Sequence, residues 1–221
     1  MIRFKEPFNG ISHLIGACLS VAVTVVLVRA GAQRGGGRAA VAMLVYGCSM
    51  FLLYLASAWY HLLDVGARAH RVLRRLDHVS ISLLIAGTYT PICILVLPGR
   101  AGTTLLWEVW LLALALILTD IFWIDAPRAL KAALYVVLGW VAVWAVVPLV
   151  KAIGWSGVFW VLGSGLTYSV GALLYAIKRP NPWPGVFGFH EIWHLFVLGG
   201  STGFVIFMWR YVLPLVARPP V

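Results

Sequence analysis

Charged side chains are scarce in this chain, at 11% of its 221 residues, and only 7 residues are acidic. Soluble globular domains carry about 25% charged residues, so this composition excludes an ordinary soluble protein. Cysteine is also scarce. Cys18, Cys48 and Cys93 lie in apolar segments and have no C-x-x-C spacing. This pattern excludes a disulfide framework and predicts free, buried thiols.

Hydrophobic residues make up 62% of the chain and occur in long runs without a short period. Runs of 18 or more residues with few charges are candidate transmembrane helices, because about 20 residues cross the hydrocarbon core. Several runs have this length, which predicts a polytopic integral membrane protein. The first run, at about 12–30, is too long for the apolar part of a signal peptide, and no obvious small-residue cleavage site follows it. We therefore expect it to remain in the mature chain.

Proline, glycine and charge clusters divide the chain into seven apolar segments. They predict helices at about 12–30, 40–63, 76–97, 103–122, 130–150, 157–177 and 189–213. At about 1.5 Å per residue, each is long enough to span a membrane. The loops between them are short, so we expect an all-α bundle of seven transmembrane helices in a single domain over residues 1–221. An odd number of crossings places the two termini on opposite sides.

The formal net charge of +10 could suggest nucleic acid, but the Lys and Arg residues are scattered through short loops. Such scatter favours contact with anionic lipid headgroups, and we expect no nucleic-acid partner. The N-terminal side carries the larger share of the basic residues, largely because Arg68, Arg71, Arg74 and Arg75 share one loop. The positive-inside rule then predicts a cell-membrane protein with a cytoplasmic N-terminus and an extracytoplasmic C-terminus.

Ionisable residues fall at one depth of the predicted bundle. Ser57 and His61 share a face late in the second helix, Asp77 lies early in the third, and His190 and His194 open the seventh. Because neighbouring helices run in opposite directions, all of these positions lie near the cytoplasmic side. Three imidazoles and one water form a common catalytic shell for Zn²⁺. We predict that His61, His190 and His194 bind zinc, that Asp77 holds the water as general base, and that Ser57 hydrogen-bonds this water or a ligand carbonyl.

The segment HEIWH offers an alternative, because H-E-x-x-H is the helix signature of zinc metalloproteases. In that mechanism His190 and His194 bind the metal and Glu191 is the general base. Glu191 follows His190 directly, so it can point toward the metal or toward the interface. Since His61 and Asp77 complete a shell without it, an intramembrane protease is the less favoured interpretation.

Two further histidines have open roles. His13, near the start of the first helix, could pair with Glu6 or Asp77, or simply lie at the membrane interface. His78 neighbours Asp77 but points about 100° around the helix, so support of Asp77 or contact with a loop is favoured over metal binding.

Four short motifs extend over nearly the whole chain: E-x-x-N-x-x-x-H at Glu6, Asn9 and His13, S-x-x-x-H at Ser57 and His61, LDHVSI around Asp77, and H-x-x-x-H at His190 and His194. In combination they resemble the haemolysin III family, the prokaryotic branch of the progestin and adipoQ receptor (PAQR) proteins. The resemblance implies a seven-helix bundle with a cytoplasmic N-terminus. It also implies a zinc ion bound by His61, His190 and His194, with Asp77 bound through water and Ser57 close by.

The wider superfamily includes alkaline ceramidases, and prokaryotic members are implicated in membrane lipid homeostasis. The resemblance therefore implies a zinc-dependent hydrolase whose partner is a membrane lipid with an amide or ester bond. The family name comes from a cytolytic activity, so two alternatives stay open. One is a non-enzymatic, pore-forming cytolysin, and the other is a membrane sensor whose zinc is structural. A structural site is usually closed by a fourth protein ligand, which Asp77 could provide.

Overall fold

The computed structural model describes residues 5–97 and 99–217, which are helical almost throughout. The helices are α1 (Pro7–Leu62), α2 (Ala67–Pro91), α3 (Gly99–Phe122), α4 (Arg128–Gly139), α5 (Val146–Ile177), α6 (Phe189–Phe207) and α7 (Leu213–Val216). Residues Ile92–Val96 and Met208–Val212 are π-helical, and Val141–Ala145 form a 3₁₀ turn. The described ranges contain no strand, which agrees with an all-α protein. A single domain over 1–221 stays a prediction, since residues 1–4, 98 and 218–221 lie outside the description.

Five helical stretches within the described ranges are long and apolar enough to cross a membrane: Pro7–Leu62, Ala67–Val96, Gly99–Phe122, Arg128–Ile177 and Phe189–Val216. The chain is therefore a multi-pass helical membrane protein. The segment predicted at 76–97 begins earlier, at Ala67, so the predicted arginine loop is helical. The difference in number from the seven predicted segments arises at two other places. The predicted helices at 12–30 and 40–63 join within α1, and those at 130–150 and 157–177 fall within the stretch Arg128–Ile177.

The helix α1 reverses direction at Gly36, whose backbone is non-helical (φ 65°, ψ −161°). Positions on either side of this turn face each other in antiparallel order. Gly10 lies against Leu62, and Gly31 lies against Ala39. A side chain at this φ and ψ is strongly disfavoured, so glycine permits a turn without an intervening loop. The turn occupies the position where the sequence predicts a connection between two helices.

A second reversal occurs at Gly154 (φ 70°, ψ 170°), within the stretch Arg128–Ile177. Across this turn, the Trp140 indole N–H donates to the Ser169 hydroxyl over 2.9 Å. The predicted connection at about 150–157 is therefore also a tight glycine turn. Both long helical stretches are hairpins, and the count of seven membrane crossings stays a prediction.

Small residues let the helices approach closely, as in other membrane bundles. Gly87 of α2 packs against the side chain of Ser49 in α1, and Gly200 of α6 packs against the ring of Tyr168 in α5. Any larger residue at Gly87 or Gly200 would meet these neighbours. The glycines therefore set how closely α1 and α2, and α5 and α6, can pack.

The outer surface is apolar, as expected of a protein surrounded by lipid. Leu19 and Trp107 are examples of its large exposed side chains. Cys18 and Cys48 are also exposed, so the prediction that they are buried is wrong. Both face away from the helix contacts of α1. Cys93 is buried as predicted, and all three are free thiols.

A buried ion pair joins α3 to α4. Lys131 Nζ lies 2.9 Å from Asp120 Oδ1, and the Tyr135 hydroxyl donates to Asp120 Oδ2 over 2.8 Å. The two charged side chains are 7% and 2% exposed. A second pair, between Arg74 and Asp125, has a similar length of 2.8 Å but is far more open to solvent.

Candidate metal centre

The antiparallel packing brings His61, at the end of α1, beside His190 and His194 in the first two turns of α6. The spacing of four residues puts His190 and His194 on one helix face. Each of the three rings offers a nitrogen, and these atoms all lie within 4.8 Å of one another. The predicted convergence of three histidines is thus seen, and the cluster can hold one metal ion.

Two of the three rings are almost fully buried, so few groups other than a bound cation can contact their free nitrogens. His61 and His194 are 1% and 2% exposed, and Nδ1 of His194 has no hydrogen-bond partner among the described residues. A buried polar atom without a partner is costly and uncommon in a folded protein. An ion between the rings would supply a partner that the surrounding side chains do not, so the residues present fit a bound metal.

Glu6 contacts the histidine cluster from the N-terminal end of α1. Its Oε2 lies 2.6 Å from Nδ1 of His61 and 3.8 Å from Nδ1 of His190. The backbone N–H of Glu6 also donates to the His61 carbonyl over 3.0 Å. The hydrogen bond from His61 lowers the pKa of Glu6 to about 2, so this side chain is a carboxylate near neutral pH. Hydrogen bonding at Nδ1 leaves Nε2 of His61 free for a metal.

Asn9 connects this carboxylate to α6. Its Nδ2 donates to Glu6 Oε2 over 3.2 Å and to Glu191 Oε1 over 3.1 Å. The other Glu191 oxygen accepts the backbone N–H of Gly188 over 2.8 Å, which caps the start of α6. Both oxygens of Glu191 are therefore engaged in holding helix ends.

Asp77 and Ser57 line the same cavity as the three histidines. Ser57 is buried, and Asp77 is 16% exposed with Oδ2 lying 3.5 Å from Nδ1 of His78. His78 thus lies beside Asp77 without a hydrogen bond from Nδ1, and its supporting role stays a prediction. The roles of Asp77 as general base and of Ser57 as a hydrogen-bond donor stay predictions.

His13 is buried against the cluster. Its ring centroid lies 3.9 Å from that of His194 and 5.0 Å from that of Tyr54. Neither ring nitrogen of His13 has a hydrogen-bond partner in the described part of the chain. The suggested pairing with Glu6 or Asp77 by a hydrogen bond is therefore not formed, and a position at the membrane interface stays a prediction. The antiparallel turn of α1 carries His13 inward, which its position in the sequence alone does not indicate.

A cavity of about 410 Å³ adjoins the histidines. Its walls also contain three basic side chains, Arg74, Arg128 and Lys131. Most of the remaining wall is apolar or aromatic, with Leu53, Ile81, Leu84, Ile85, Val136, Trp140, Val197 and Phe204. The size falls within the range of small-molecule sites, which combine apolar walls with a few polar groups. The cavity suits an amphiphile whose polar part meets the histidines.

Comparison with known proteins identifies relatives along most of the chain. The sequence model of a family described as "Haemolysin-III related" matches residues 1–205. The chain is 40% identical to "Hemolysin-3" of Bacillus cereus over 210 residues, which cover 95% of this chain and 93% of the relative. It is 38% identical to "Hemolysin-3 homolog" of Bacillus subtilis (strain 168), with 91% and 92% covered. A more distant match is "Adiponectin receptor protein" of Drosophila melanogaster, 27% identical over 64% of this chain and 34% of the relative.

Proposed function

This chain belongs to the haemolysin III family, and we propose that it is a zinc-dependent hydrolase of a lipid amide or ester that acts in membrane lipid homeostasis. The observation that carries the proposal is the cluster of His61, His190 and His194 at the edge of a largely apolar cavity. Three imidazoles with room beside them leave space for water and for a substrate carbonyl.

The zinc ion, when bound by these three histidines, would polarise the substrate carbonyl and make a water molecule more acidic. Asp77 accepts the proton of the attacking water and later transfers it to the departing nitrogen or oxygen. The C–N or C–O bond breaks, and the products are a fatty acid and an amine or alcohol. Ser57 donates a hydrogen bond to the water or to the carbonyl oxygen. Apolar residues such as Leu84 and Val197 hold the acyl chain and exclude bulk water.

A cytolytic function is the second candidate, because the 40% identical Bacillus cereus relative is named for haemolysis. In that case the metal would be structural, and the fold would act on membranes without turning over a lipid. A protease is less well supported, since both oxygens of Glu191 already accept hydrogen bonds from Asn9 and Gly188.

We further propose seven membrane crossings with the N-terminus in the cytoplasm and the C-terminus outside the cell membrane. Support comes from the hairpin turns at Gly36 and Gly154, each of which adds one crossing to the five long stretches. The arginines at the start of α2 supply the charge asymmetry. The histidine cluster would then lie near the cytoplasmic face.

Metal analysis of purified protein tests the site. We expect about one zinc per chain, lost in His190→Ala and in His194→Ala. His70→Ala is the matched control, because His70 stacks on Tyr60 at the same end of the bundle but outside the cluster. A wild-type protein that binds no metal would overturn the proposal.

Asp77→Asn separates the hydrolase from the alternatives. We expect zinc to be retained while turnover of a ceramide-like amide in detergent micelles falls by roughly 10²–10⁴-fold, the usual contribution of a general base. If the wild-type protein turns over no lipid, and leakage of liposomes is the same in Asp77→Asn, the cytolytic function replaces the hydrolase.

A further inference from the structure

We infer that Glu6 is a positioning residue of the metal centre: its carboxylate fixes the ring of His61, and Asn9 and Glu191 hold that carboxylate in place. This inference rests on the proposed function, because it takes the histidine cluster to be a metal site. Glu6 itself precedes α1 and is separated by most of a helical hairpin from the ligand that it orients.

The geometry of Glu6 is that of a carboxylate–histidine–metal arrangement. A histidine that binds a metal through one nitrogen usually donates its other N–H to a carboxylate, which fixes the ring and makes it a stronger ligand. Glu6 Oε2 occupies this place, 2.6 Å from His61 Nδ1. The same oxygen lies 3.8 Å from Nδ1 of His190, so one carboxylate faces two of the three rings.

The carboxylate is itself restrained. Asn9 is 1% exposed, and its amide group donates to both Glu6 and Glu191. Because Glu191 caps α6, the chain of contacts joins the start of α1 to the start of the helix that carries the other two ligands. A side chain 35% exposed, as Glu6 is, would otherwise sample several rotamers.

This network also assigns a role to the E-x-x-N part of the first motif and to the glutamate of HEIWH. Both glutamates act on the histidines indirectly. Glu6 contacts the ring nitrogen of His61, and Glu191 holds Asn9, which in turn holds Glu6. Glu6 touches a ligand rather than the metal or the substrate, so its loss should weaken metal binding without changing the number of ions bound.

The test is the affinity of the detergent-purified full chain for Zn²⁺, measured by competition with a chromogenic chelator. Glu6→Ala should lower the affinity about 10–100-fold. Glu6→Gln keeps an oxygen that can accept the His61 N–H, so it should recover part of this loss. Asp125→Asn, which removes a carboxylate from an exposed ion pair, should leave the affinity unchanged.

A spectroscopic readout distinguishes positioning from a general loss of structure. Co²⁺ bound to the wild-type protein should give visible absorption bands, which Glu6→Ala shifts or weakens and Glu6→Gln largely restores. The backbone hydrogen bond from residue 6 to His61 survives in both variants, which favours folding. Asn9→Ala is a second variant that leaves Glu6 in place but removes its restraint, and it should give a smaller loss of affinity.

The outcomes separate the two proposals. If the wild-type chain binds no Zn²⁺, the metal centre and the proposed function both fail. If the wild-type chain binds one Zn²⁺, and Glu6→Ala and Asn9→Ala bind it with the wild-type affinity and Co²⁺ spectrum, only the positioning role fails.

Discussion

Lys131 and Asp120 form an ion pair inside the protein, and its disruption tests the packing of α3 against α4. Substitution of Lys131 by methionine keeps a long unbranched side chain but removes the ammonium group. Asp120 Oδ1 then loses its partner at 2.9 Å, whereas Oδ2 keeps the Tyr135 hydroxyl at 2.8 Å. The carboxylate becomes a buried charge without a compensating cation.

The expected loss in the free energy of unfolding follows from the burial of both charged side chains. With side chains 7% and 2% exposed, the pair belongs to the class in which removal of one partner costs about 3–5 kcal/mol. We expect the lower end of this range because Tyr135 still donates to Asp120. Arg74→Met breaks a pair of similar length whose side chains are 34% and 78% exposed, for which about 0–1 kcal/mol is expected.

Equilibrium unfolding in mixed micelles, followed by helical circular dichroism, measures both variants. The double variant Lys131→Met/Asp120→Leu should recover most of the stability, because an apolar pair of similar volume often replaces a buried ion pair without loss. The reasoning is refuted if Lys131→Met lowers the free energy of unfolding no more than Arg74→Met does. It is also refuted if the double variant is less stable than Lys131→Met alone.

Three further predictions concern the turn, the helix contacts and HEIWH. Gly36→Ala should lower the free energy of unfolding by about 1–3 kcal/mol, because its φ of 65° disfavours a side chain, whereas the neighbouring Gly37→Ala should have little effect. Gly87→Val should cost about 1–3 kcal/mol in the same unfolding assay, because the new side chain meets Ser49. Glu191→Gln should retain lipid turnover, whereas a 10²-fold or larger loss would return this residue to the general-base role.

Hydropathy was enough to predict an all-α membrane protein, because long apolar runs have few structural alternatives. It could not predict how the first two helices connect. The sequence between them contains glycines at 35, 36 and 37, which indicates a break but not its geometry. Only Gly36 of these three has a positive φ, and it allows the reversal within one residue instead of the predicted loop over 31–39.

The three-histidine cluster could be predicted because each ligand lies near a helix end, and alternating helix directions bring those ends to one depth. The parts that were missed depend on rotation about the helix axes. His13 turns toward His194 and becomes buried, and Glu6 reaches across to His61. Sequence spacing predicts which residues share one face of a helix. It does not predict which neighbouring helix that face contacts, because this depends on how the helices pack together.

The hydrogen bond between Glu6 and His61 has a practical consequence for purification. A polyhistidine tag inserted directly before Glu6 would be tethered beside the three-histidine cluster, and its imidazoles would compete for the same ion. Val216 packs against Gly35, at the opposite end of the α1 hairpin. A tag inserted next to Val216 is therefore attached away from the cluster and suits measurements of Zn²⁺ content and affinity.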